Sequence, residues 1–441
     1  MDRRKFIKQS IMATTAAYTF PYILPSGRLF AASGTRKADH VVFCLFAGGV
    51  RNLESVHKAD GNLMTNMLTG TEAISTDILP GMDLLPSVGI PALQSSGTLF
   101  KEFRYAQGPT GHFNGHTTAM TGVYTTTELN LKAPPHNPTI FEYYRKHNSP
   151  SMSALNSWWV SNALGPYPSL NFSSDPNYGA LYGANYVQPT SFISQSSYSV
   201  LGNPKNFNSA EKTSSSKIKN VLDKNFGSQY KPGDAGIENT SADALTLETF
   251  ISTNFANAMG GGYTDPWAVG ANTMNDDMRN VFFAENIITT FKPELLVVNM
   301  QDVDICHSDF TDYCNNLRKA DYALAHLWKT IQSTPGMANN TILIAAPEHG
   351  RNETPNTLID SHGRYALDHT GEIVSGRILS REIFCLVLGP SGVVKQNQLF
   401  STVQGESIDI VPTIADILGF YGDIPTNYRS NMGSVLNQAF V

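Results

Sequence analysis

Four short segments place imidazole and carboxylate side chains where they could hold a cation or an anion. The first is Asn299-Met300-Gln301-Asp302-Val303-Asp304-Ile305-Cys306-His307, which follows an apolar run. Carboxylates and an imidazole clustered just after a buried strand suit a divalent ion such as zinc or manganese. A plainer reading makes this a loop in which Ser308 or Asp309 caps the next helix. The second segment is Pro347-Glu348-His349-Gly350. Its adjacent acid and histidine can both reach one ion if the backbone turns sharply, and Gly350 permits such a turn. The third is Leu367-Asp368-His369-Thr370-Gly371-Glu372. The fourth runs from Gly111 to Gly122 with His112, Asn114 and His116, and reads as a loop entering a helix. A helix start presents free N–H groups and a positive dipole end, which suit an anion.

These segments need a scaffold, and the apolar pattern provides one. Val41 to Phe46, Leu99 to Tyr105, Glu294 to Asn299, Thr341 to Ala346 and Ile383 to Leu388 read as buried strands. Pro138 to Lys146 reads as a short helix with Pro at its start. Leu317, Ala320, Leu324, Leu327 and Ile331 recur at the three-four spacing of an amphipathic helix, between two of the strands. Strand, helix, strand implies a crossover in a parallel sheet, and the strand at Ile383 with the helix from Ser407 to Leu418 extends the pattern. The expected fold class is therefore α/β: a three-layer α/β/α domain with a mostly parallel central sheet. Each candidate segment falls at a strand's end or a helix start, where ligands gather in open α/β sheets. From 157 to 276 the chain is rich in Asn, Ser, Gly, Tyr and Phe, and reads as a cap-like insertion over the sheet, with helix around Ala242 to Met259.

At 441 residues, the chain has room for one large α/β domain, here placed at 39–441. A formal net charge of -6 argues against nucleic acid as a partner. Asp2-Arg3-Arg4-Lys5-Phe6-Ile7-Lys8 resembles a twin-arginine signal, and Ile11 to Leu24 is apolar but shorter than a spanning helix needs. Ala31-Ala32-Ser33 offers a small-residue cleavage site, so residues 1–33 are read as a signal peptide and the protein as exported to the periplasm, cell surface or medium. An uncleaved anchor through Phe20 to Leu24 is the alternative. Cys44 and Cys385 sit in strands as small core residues, whereas Cys306 and Cys314 could pair under oxidising conditions.

In this order the four segments resemble the alkaline phosphatase and sulfatase superfamily, over most of the chain beyond Asp39. Thr121-Gly122, the helix Asp312–Ile331, Glu348-His349-Gly350 and His369-Thr370-Gly371-Glu372 fall at the family's places. Leu388-Gly389-Pro390 and the stretch Ser407 to Gly419 resemble its C-terminal signature. The resemblance implies two metal sites sharing one phosphate or sulfate ester. One would use Asp302 or Asp304 with His307 and His369. The other would use Glu348 and His349 with a first-strand acid and a nucleophile.

The chain departs from that pattern at one of the two sites. Gly48 stands where the first-strand Asp belongs, and His112 stands at the nucleophile's place as the candidate catalytic residue. An alignment shifted by a few residues would bring in Glu54, Thr110 or Thr117 instead. Arg51, Asn114, His116 and Asn352 are candidates to hold an anionic oxygen. The implied cofactor is a divalent metal (zinc, manganese or calcium), one ion in preference to two. The expected function is an exported sulfatase- or phosphatase-like ester hydrolase acting on an anionic ester or glycan. The alternative is a degenerate binding or scaffolding protein, with a protein partner engaged through 157–276. On this reading, Gly48→Asp with His112→Thr would restore the second ion's ligands.

Overall fold

The computed structural model describes residues 32–59, 61–70, 81–127, 134–148, 155–162, 170–189 and 241–441. The signal-like segment lies outside these residues, apart from Ala32 and Ser33. Among the described residues, no helix is long and apolar enough to cross a membrane.

Eight strands form one sheet: β1 (His40–Phe46), β2 (Gly97–Arg104), β3 (Ser157–Val160), β4 (Asn185–Val187), β5 (Leu295–Met300), β6 (Thr341–Pro347), β7 (Glu382–Leu388) and β8 (Gln398–Phe400). Their spatial order is β4-β3-β5-β1-β6-β7-β2-β8. The first five in that order run parallel. β7 runs antiparallel to both β6 and β2, so Ile383 to Leu388 does not extend the parallel pattern. A buried apolar run carries no signal for strand direction, because both faces are covered either way.

The helices named below are α1 (His112–Thr121), α2 (Ile140–His147), α3 (Ser241–Met259), α4 (Asp276–Phe291), α5 (Phe310–Ser333) and α6 (Ile410–Ile417). Strand periodicity divides the core into two halves. Val42, Cys44 and Phe46 of β1 face one cluster with residues of α4 and α5. Val41, Phe43 and Leu45 face the other with residues of α1, α2 and α6. This is the three-layer α/β/α arrangement. α2 starts one residue after Thr139, whose hydroxyl accepts the Glu142 N–H while Glu142 returns to the Thr139 N–H. That reciprocal cap starts the helix, and Pro138 lies outside it.

Part of the expected cap belongs to the sheet. β3 pairs with β5 and β4 with β3, and both are wholly buried. Phe250 of α3 packs edge-on against Trp158 of β3, and α4 covers the same face. The Trp158-Trp159 pair is too short a run to show periodicity, so its strand was not legible. A partner surface could not include these buried strands, and 190–240 lies outside the described residues.

Register gathers the candidate segments. Phe46 lies opposite both Met300 and Pro347, so β1, β5 and β6 end together at one edge. Gly48, the 302–307 turn and Glu348-His349 therefore emerge side by side. α1 lies close against this edge: a Cβ on Gly115 would stand 2.9 Å from Glu348 Cβ and O, so only glycine allows the approach.

Candidate metal centre

Two groups of ligand-type atoms converge at that edge. One comprises His112, Asp304, His307 and His369; the other comprises His112, Glu348 and His349. Asp304 and His307 stand on a 3-10 turn, Asp302–His307, directly after β5. Asp309 caps α5 by accepting the Asp312 N–H at 2.8 Å, so the capping role and the ligand role coexist on different residues. Glu348 and His349 follow β6, His112 opens α1, and His369 lies on the long connection to β7.

The proton positions follow from the partners. His369 Nδ1 lies 2.5 Å from the Thr110 carbonyl, which has no proton to give, so the ring carries its proton there. The Thr110 hydroxyl in turn donates to the His369 carbonyl. His349 Nδ1 is fixed in the same way by the Gly350 carbonyl at 2.8 Å. His307 Nδ1 donates to Asp368 at 2.9 Å, and Asp368 also accepts from Asn356 at 3.1 Å. The Nε2 atoms of His307 and His369 are then bare lone pairs 2.9 Å apart. His112 Nε2 stands 3.1 Å from His369 Nε2 and 3.0 Å from Asp304 Oδ1. Outer partners that set a ring's tautomer and aim its free nitrogen inward are the usual surroundings of metal-ligating histidines. These residues fit a divalent ion.

The electrostatics agree. Burial, with His349, His112, Arg351 and His307 nearby, pushes His369 far below the ordinary imidazole range, which keeps it neutral. Burial also lowers His307 and His349. Burial would raise Glu348, but His116, His349 and His112 outweigh it and hold the carboxylate well below its ordinary value. Asp304 is likewise lowered, against burial, by His112 and Arg351. His112 goes the other way: burial would lower it, yet Glu348 and Asp304 raise it to about 9.

Several sequence candidates stand elsewhere. The Asp302 carboxylate accepts the Asp277 N–H at 3.0 Å, while Asp277 accepts the backbone N–H groups of Gln301 and Asp302. Asp302 therefore ties the β5 turn to the start of α4 and is absent from both ligand groups. Arg51 is buried in an ion pair with Glu54, and neither residue belongs to the two ligand groups. Asn114 donates to Thr125 and Thr127. His116 is fully buried behind Glu348, with Nε2 2.9 Å from Asn299 Oδ1 and Nδ1 in ion-pair contact with Glu348. Asn352 donates to Thr370 at 2.8 Å. The Thr110 hydroxyl is engaged by the His369 carbonyl, and Thr117 is buried within α1. Cys306 and Cys314 are buried free thiols, and burial raises Cys306 to about 12.

Arg351 was not read from the sequence as part of the site. Its guanidinium is fully buried, 3.0 Å from Asp304 Oδ1 and 3.0 Å from the Leu367 carbonyl, and it also donates to the Gly48 carbonyl. It ties together the three segments after β1, after β5 and before β7. An Arg next to an acid-histidine pair carries no such signal in sequence; only the sheet's register brings its partners within reach. The space beside Gly48 also corrects the restoration expectation. A Cβ there would lie 2.5 Å from Asp304 N and 2.6 Å from its Cα and Cβ, on a backbone with φ of +96°. An aspartate has no room at this position.

No family model matches the chain, and no curated protein matches it. Solved structures do match. The lipoteichoic acid synthase LtaP from Listeria monocytogenes is 10% identical over 96% of this chain and 81% of its own, with a TM-score of 0.42. A mutant of the alkaline phosphatase PafA is 10% identical over 93% of this chain and 100% of its own, at 0.44. The PsFucS1 sulfatase from Pseudoalteromonas sp. is 11% identical over 88% of this chain and 69% of its own, at 0.43.

Proposed function

We propose that this protein is an exported, metal-dependent hydrolase of phosphate or sulfate esters, of the alkaline phosphatase and sulfatase type, working with one divalent ion. One observation carries the reading: bare ring nitrogens of His307 and His369 point at each other 2.9 Å apart, beside the Asp304 carboxylate and His112. Lone pairs so placed repel unless a cation lies among them. Asp304, His307 and His369 would hold the ion; when bound, it would polarise an ester oxygen and lower the pKa of a water molecule. Asp368 and the Thr110 carbonyl orient two of the rings, and Arg351 fixes the Asp304 carboxylate. The ligand class is an anionic ester, free or on a glycan, attracted by the ion. His112 offers no oxygen nucleophile, so the chain itself supplies none at that place.

A second reading, a binding protein that keeps the fold and one ion without turnover, is favoured by Gly48 and by His112 at the nucleophile's place. Metal analysis with an aryl phosphate and sulfate screen separates the two. The hydrolase reading expects about one divalent ion per chain and turnover well below the common range of roughly 1–1,000 per second. Both should be lost in His369→Ala and kept in Asp302→Asn. Undiminished turnover after chelation would reject the hydrolase reading. A bound ion with no turnover on any ester would select the second.

A further inference from the structure

We infer that His112 is a fourth ligand of the ion held by Asp304, His307 and His369, and that Glu348 is its outer partner and not a ligand of a second ion. This rests on the reading that the cluster takes a divalent ion. N and O ligands that share one ion at about 2.0–2.1 Å lie about 3–4 Å apart. Here His112 Nε2 to Asp304 Oδ1 is 3.0 Å, His307 Nε2 to Asp304 Oδ1 is 3.4 Å, and His369 Nε2 lies 3.1 and 2.9 Å from the ring nitrogens of His112 and His307. The four donors are thus close enough together to share one ion.

The other ring nitrogen of His112 decides what Glu348 does. His112 Nδ1 lies 2.7 Å from Glu348 Oε1, the geometry of a ring that donates to a carboxylate while its opposite nitrogen binds metal. Glu348 Oε1 also accepts the Gly48 N–H at 2.5 Å, and the residue is wholly buried. Every ligand then has an outer partner: Glu348 for His112, Arg351 for Asp304, Asp368 for His307 and the Thr110 carbonyl for His369. The competing group of His112, Glu348 and His349 uses the same ring and has three donors, not four. Filling both groups at once would strip both protons from His112. The backbone of Asp304 fills the space from which an acid at position 48 would reach a second ion.

Loading wild type, His112→Ala and Glu348→Gln with Co²⁺ tests this directly. Wild type should hold one Co²⁺ per chain. In His112→Ala the visible Co²⁺ bands should shift, and added imidazole should reverse the shift. Glu348→Gln should still bind one ion, with affinity about 10–100-fold weaker. Two Co²⁺ per chain in the wild type, or bands left unchanged by His112→Ala, would overturn the inference while leaving the metal reading intact. No bound Co²⁺ would overturn both. The wild-type Co²⁺ count does not depend on either variant folding.

Discussion

Replacing Gly48 by Asp is the substitution that family resemblance recommends and this structure forbids. The new Cβ would meet main-chain atoms and Cβ of Asp304 at 2.5–2.6 Å, none of them the free end of a flexible side chain. Overpacking of that kind costs about 1–3 kcal/mol. Holding a non-glycine residue at a strained positive φ costs about 1–3 kcal/mol more. The total is about 2–6 kcal/mol, centred near 4. Unfolding entropy of about 2.1 cal/mol/K per residue, over roughly 330 described residues, converts 4 kcal/mol to a fall in Tm of about 6 °C. Gly48→Ala carries the same Cβ without the carboxylate, so it should account for most of the loss. Urea unfolding and thermal melts of wild type, Gly48→Ala and Gly48→Asp give the energies, and elemental analysis gives the ion count. A Gly48→Asp protein within about 0.5 kcal/mol of wild type, or one holding an additional ion, would refute the steric reasoning.

Two further outcomes are expected. Burial raises Glu142 to about 7, against the donors from Thr139, Ser173 and Gly179. Because the folded value lies above the unfolded one, its contribution to stability is full below about pH 4.5 and is lost as pH rises through 7, a change of about 3 kcal/mol. Urea unfolding at pH 4.5 and 7.5 should show that drop in wild type and not in Glu142→Gln; equal slopes would contradict it. Export is proposed to depend on Arg3-Arg4 ahead of the weakly apolar segment. Arg3→Lys with Arg4→Lys should leave the protein in the cytoplasm, and unchanged export in cells lacking the twin-arginine translocase would reject that route.

Strands β1, β5, β6 and β7 and helix α5 were legible because continuous apolar runs and three-four spacing are local properties of the chain. The segments bearing His307 and His349 were legible for the same reason, since each adjoins an element that could be placed; the one bearing His369, on the long connection to β7, was read from the family resemblance. β7's direction was not legible, nor was the place of Trp158 and Trp159 in the sheet, since pairing partners are set by distant residues. Asp302 and Asp304 show how far spacing reaches. Both stand just beyond β5, but the 3-10 turn sends Asp302 to the start of α4 and Asp304 to the histidines. Two residues on a tight turn point in different directions, and sequence does not say which faces the ligand.

By itself, then, the sequence determined the apolar strands, the amphipathic helix and the residue types available at one edge of the sheet. Tertiary structure alone decided which of those residues meet. The parallel register that sets Phe46 beside Met300 and Pro347 brings Gly48, Asp304 and Glu348 together from positions hundreds of residues apart. It also leaves beside Gly48 a space that only glycine fits, and it holds buried Arg351 against the carboxylate of Asp304. Donor chemistry belongs to each residue singly, whereas ligand geometry depends on distances that only the packed sheet fixes.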